Sequence, residues 1–137
     1  MADTTLPVYL ALQKAVRDAI APIPLAVENV EFDPPESGLH VRCQIAPVGV
    51  EDPVFGSRYR RELYQLQLFV VGQVNTGINA TMSKAGELRE LFKRGYENNI
   101  DNMKIRVFST PSMGGNIPTD NEVVTPLIVP VTVEVYD

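Results

Sequence analysis

The chain has 137 residues, 45% hydrophobic and 21% charged, enough for one ordinary core that removes about two-thirds of the unfolded chain's surface from water. A single cysteine excludes an internal disulfide, no run approaches the ~18 apolar residues of a membrane span, and the opening MADTTLPVYL lacks the basic start of a secretory signal; a soluble, cytosol-made protein is expected. The net charge of −5 argues against tight binding of nucleic acid, because an acidic protein gains nothing from counterion release.

Residues 6–21 read as a helix. Leu12, Val16 and Ile20 recur every four residues beside Val8, giving one apolar stripe. Thr4 or Thr5 is placed to cap it, Pro7 sits harmlessly in the first turn, and Pro22 and Pro24 stop it. The prolines of 31–38 predict a loop. Then Leu39, Val41, Cys43 and Ile45 alternate with His40, Arg42 and Gln44, a strand with one buried and one wet face. Residues 46–57, with Pro47, Gly49, Pro53 and Gly56, read as a connection to a second long strand, 58–71. In that strand Tyr64, Leu66, Leu68 and Val70 share a face. The two strands predict a long β-hairpin whose tip projects from the body.

A second helix is expected from a cap at Thr76 to about Arg94. Ile78, Met82, Ala85, Leu88 and Phe92 form its inner face, and Gly95 closes it. Residues 103–108 predict a short strand and 112–116 a flexible stretch. A long extended segment follows, in which Val123, Leu127, Val129, Val131, Val133 and Val135 share one parity. Pro126 and Pro130 cannot donate to a ladder, which places part of this segment at a sheet edge or bulge. The sum is an α+β fold in a single domain over residues 1–137. It is a two-layer sandwich with a mixed, mainly antiparallel sheet, two helices on one face and a projecting β-hairpin. A long unpaired edge would invite pairing with another chain.

Chemistry is scarce. His40 is the only histidine and falls on the wet parity; Cys43 falls on the apolar one, the setting of an inert thiol. No nucleophile elbow, phosphate loop or dinucleotide fingerprint occurs. Glu31 with Asp33, and Glu51 with Asp52, lie in predicted loops and read as solvated acids. The expectation is no enzyme, no cofactor and no metal. The basic run Arg58, Arg60 and Arg61, with Tyr59 among it, splits between two strand faces. It reads better as salt-bridging, to Glu51 or Asp52 of an adjacent subunit, than as a nucleic-acid stripe.

The order of these features resembles a known family. Asn29-Val30-Glu31-Phe32-Asp33-Pro34-Pro35 follows the capped helix, then comes Leu39-His40-Val41-Arg42-Cys43. Arg58-Tyr59-Arg60 then leads into Leu66-Gln67-Leu68-Phe69-Val70 and a second helix. Together they resemble the tail terminator proteins of long-tailed bacteriophages, over nearly the whole chain. The resemblance implies a structural virion protein at the head-proximal end of the tail, made in the host cytoplasm. It implies a closed homo-oligomeric ring, typically a hexamer, that stops growth of the tail tube. Its partners would be the tail tube protein, the head-completion protein and passing DNA that is not bound specifically, with no membrane. Candidate subunit or tube contacts are Glu51, Asp52, Val54, Phe55, Arg58, Tyr59, Arg60 and Arg61. Another head–tail joining or tail-tube subunit, or a peptide-binding module using an exposed sheet edge, are the alternatives.

Overall fold

A computed structural model describes residues 4–28, 30–33, 38–51, 59–73, 78–100, 102–119 and 122–136. Helix α1 spans Thr5–Ile20 and buries Val8, Leu12, Val16 and Ile20, the predicted stripe. Thr4 stands at the cap position, but its side chain makes no cap bond; its hydroxyl is engaged elsewhere, as described below.

Three strands follow on one side of the sheet. β1 (Leu25–Val27) lies parallel to β2 (His40–Glu51), with Leu25 opposite Val41. β2 runs antiparallel to β3 (Arg60–Gln73), from His40 opposite Val71 to Glu51 opposite Arg61. The hairpin is therefore present, and its first strand continues through much of the expected connection. Pro47 and Gly49 are accommodated by a register shift that leaves Val48 in a bulge. The hairpin tip, 52–58, lies outside the described residues.

Helix α2 (Asn79–Leu91) is shorter than expected, and its presumed cap Thr76 lies outside the described residues. Its inner face is also rotated from the expected one. Ala85, Leu88 and Phe92 are buried, but Ile78 and Met82 are exposed and Thr81 is inside. The cause is polar: the Thr81 hydroxyl donates to the Ile78 carbonyl at 3.1 Å and sits 2.9 Å from the Thr125 hydroxyl. Gly95, at φ +99°, gives its N–H to the Val107 carbonyl at 2.9 Å and turns the chain into the next hairpin. That hairpin comprises β4 (Glu97–Ile100) and β5 (Met103–Val107).

Segment 112–116 is not a free loop. β6 (Ser112–Met113) and β7 (Ile117–Pro118) both pair with β8 (Glu122–Val135). Between them Gly114 donates to the Pro126 carbonyl at 2.9 Å. A Cβ there would lie 2.8 Å from the Pro126 ring, so the close approach requires glycine.

The sheet order is β1-β2-β3-β8-β5-β4, with β6 and β7 also on β8. This corrects the expectation that β8, with its two prolines, lies partly at an edge: it is central. β3 flanks it from Glu122 to Val135, and β5, β6 and β7 share its other side. The prolines are tolerated because backbone groups alternate sides along a strand. The Pro126 carbonyl faces Gly114, so the absent N–H of Pro126, and of Pro130 at the same parity, faces away from β3. Both prolines fall where that second side is broken into short strands.

Both helices and one parity of the sheet enclose one core, built from α1, α2, Tyr64, Leu66, Leu68, Leu127, Val129, Val131 and Val133 among others. The opposite parity carries Arg42, Gln44, Gln65 and Gln67, as the strand alternation predicts.

Candidate interaction surface

The hairpin stem is held to the body by a carboxylate. Glu62 shares the parity of Tyr64 and Leu66, which turns it toward the helices, and it is only 8% exposed. The Thr4 hydroxyl lies 2.7 and 2.8 Å from its two oxygens, Arg60 Nε donates at 2.8 Å and the Tyr64 hydroxyl at 2.9 Å. Burial alone would raise the Glu62 pKa, but the bonds from Thr4, Arg60 and Tyr64 outweigh it and hold the group below its usual range. Burial and the same carboxylate push Tyr64 up to about 12. An acid on the apolar parity two residues after an arginine was the available sign of this clamp in the sequence.

The candidate contact residues divide. Asp52, Val54, Phe55 and Arg58 lie outside the described residues. Arg60 points inward to Glu62. Arg61 meets Glu51 of its own chain at 3.3 Å, and, exposed as it is, the pair contributes little stability. The Tyr59 ring stacks at 5.0 Å on Tyr136. The apolar surface on the stem belongs to Val48 and Val50, 57% and 63% exposed, which the sequence reading had placed in a loop.

The outer edge of β2 is partly closed. β1 covers 41–43. Beyond it the Ile45 N–H donates to Glu28 Oε1 at 2.6 Å, and the Ile45 carbonyl accepts from the Tyr9 hydroxyl at 2.8 Å. Pro47 has no N–H to give. These are devices that protect an edge from strand addition, and they end at Val48.

His40 corrects an expectation: it is 3% exposed, not on a wet surface. Its parity was read rightly, but that end of the open face is roofed. The Phe32 ring lies 5.0 Å from the imidazole, and Val71 and Val124 lie alongside in the next two strands. Burial and then Arg42 lower its pKa, with Glu122 opposing; Arg42 and Glu122 form an ion pair. Cys43 faces the core, and burial, then Glu28, pushes its thiol to about 12, far from a nucleophile's value. Phe32, His40, Arg42 and Glu28 line a shallow groove of about 320 Å³. A second groove, about 370 Å³, lies between α1 and the edge strand β4. Among the described residues no group of three or more His, Cys, Asp or Glu is placed to hold a metal ion, and no helix is long and apolar enough to cross a membrane.

The fold is a small α+β sandwich whose hairpin stem is clamped to the body and carries two exposed valines. The model of the phage tail terminator protein family matches residues 7–134, nearly the whole chain, and the chain belongs to that family. It is thereby a phage tail protein of a structural family, a component of the virion tail. A solved structure superposes with a TM-score of 0.73 at 25% identity, covering 95% of each chain. No curated protein matches.

Proposed function

We propose that the protein assembles into a closed ring of about six subunits on the head-proximal end of the tail tube. The ring stops tube polymerisation, offers its other face to the head-completion protein and leaves a channel for DNA. The observation that carries this reading is the family match over residues 7–134. Two physical features agree with it. Val48 and Val50 of the hairpin stem are exposed among the described residues and fit a contact surface. The net charge of −5 gives passing DNA no counterion-release energy to bind by.

The test is the mass of the purified protein by light scattering across concentration, with tail tubes assembled in its presence and absence and measured by electron microscopy. A discrete species of about six subunits that does not grow, together with tubes capped at one end, is the expected result. Open-ended growth would assign the chain to the tube instead. A stable monomer that leaves tube length unchanged would overturn the reading.

A further inference from the structure

Among the described residues, two four-residue stretches at opposite ends of this sheet carry outward-facing backbone that no other strand pairs. On one edge, the Val41 N–H reaches out to the Pro24 carbonyl, so odd residues of β2 face outward before the bulge. After the bulge Gly49 and Glu51 pair with Leu63 and Arg61, which leaves the N–H and C=O of Val50 facing outward. Nearer the body β2 is covered, bonded or proline, so strand addition to β2 is confined to residues 48–51. On the other edge, Val107 exchanges bonds with Gly95 and Tyr96, which turns Val107, Ile105 and Met103 toward β4. Asn98 and Ile100 answer them, and the backbone groups of Glu97 and Asn99 face outward.

The two stretches match in length, four residues each. They also match in facing. Val50 pairs with Glu62 and so projects on the helix-covered side of the sheet. Asn98 and Ile100, opposite Ile105 and Met103, project on that same side. There the groove beside β4 is lined by Ala11 and Ala15 of α1, by Tyr96 just before the strand and by Ile100 on it, with Lys14, Asp18, Glu97 and Asn98 as its polar lining. Its volume of about 370 Å³ leaves room for a valine side chain.

We propose that residues 48–51 of one copy add as a strand to β4 of the next. The sheet then runs on from subunit to subunit, with Val50 seated in the groove between α1 and β4. The contact joins two different surfaces, so it repeats head to tail and closes only as a ring. It rests on the ring reading above and supplies its subunit contact. Main-chain bonds provide the affinity, and the groove selects the side chain.

The experiment compares the solution mass of the wild type, Asn99→Pro, Val50→Pro and an equimolar mixture of the two variants. Asn99→Pro removes an outward donor and no bond to β5, a position where an edge strand tolerates proline. Val50→Pro likewise removes the outward donor of the stem and no bond to β3, and leaves β4 intact. Each variant alone is expected to be a monomer. Their mixture is expected to form a two-chain species and nothing larger, because one carries an intact hairpin stem and the other an intact β4. That species also shows that both variants fold. A wild-type ring with Asn99→Pro still assembling, or a mixture that stays monomeric, overturns the strand pairing and leaves the ring reading standing. A wild type that forms no ring overturns both.

Discussion

Replacing Glu62 with alanine is expected to destabilise the protein by about 3 kcal/mol. The carboxylate is 8% exposed and accepts bonds from Thr4, Arg60 and Tyr64. A hydrogen bond to a charged group contributes about 1.5–3 kcal/mol, and breaking a buried ion pair costs about 3–5 kcal/mol. The Arg60 side chain keeps 13% of its exposure, so water recovers part of the loss and the lower end of that range applies. With a urea slope of about 1.5 kcal/mol per molar, the midpoint should fall by about 2 M with the slope unchanged. Thr4→Ala, which leaves the other two donors in place, should cost about 1.5 kcal/mol. Glu62 also has a pH signature. Its folded pKa is depressed, so the unfolded chain binds the proton first as pH falls. The stabilisation is complete above the unfolded value of about 4.3 and is lost as pH falls through the folded one. In Glu62→Gln that acid limb should be absent. A midpoint shift under about 0.5 M for Glu62→Ala would refute the claim that this carboxylate clamps the stem.

Three further outcomes follow from buried groups. His40 has a lowered pKa in the folded state, so stability should decline as pH falls from about 6.5 toward the folded value, and His40→Gln should flatten that segment of the profile. Native Cys43 should resist a thiol reagent at neutral pH and react fully in denaturant; rapid labelling of the folded protein would contradict a core-facing thiol held near 12. Thr81→Val should cost about 1 kcal/mol by removing one of the two partners of the buried Thr125 hydroxyl, which keeps its bond to Asn116 Oδ1 at 2.6 Å. Thr81→Val combined with Thr125→Val should cost less than the sum of the singles, as a double-mutant cycle in urea would read.

Periodicity carried the reading wherever one force set the pattern. The stripe of α1, the buried parity of β3 and the valine parity of β8 all answer to burial alone, and each was legible. The misreadings sit where a second interaction intervenes. Thr81 turns inward because Thr125 receives it, a partner 44 residues away that no local window contains. His40 keeps its wet-face parity yet is covered by Phe32 from a loop. Pro126 and Pro130 suggested an edge because their missing N–H was treated as a property of the whole strand, whereas it belongs to one side of it. β1 is three residues long and shows no period. As for the surface, the hairpin was legible but residues 46–51 read as a loop, because Pro47 and Gly49 look like breakers whereas a bulge absorbs them within β2.

The central position of β8 has a consequence for how the molecule is made. β2 with β3, and β4 with β5, are two hairpins of local sequence, each able to close as soon as its own residues have left the ribosome. Neither touches the other through the sheet; residues 122–135 are the strand between them, and they are synthesised after both. Until that segment emerges, the nascent chain holds two half-sheets whose inner edges are open. Its arrival forms two ladders at once and completes the core. Folding is thereby timed to the emergence of residues 122–135, and the groove between α1 and β4 is completed no earlier than the sheet itself.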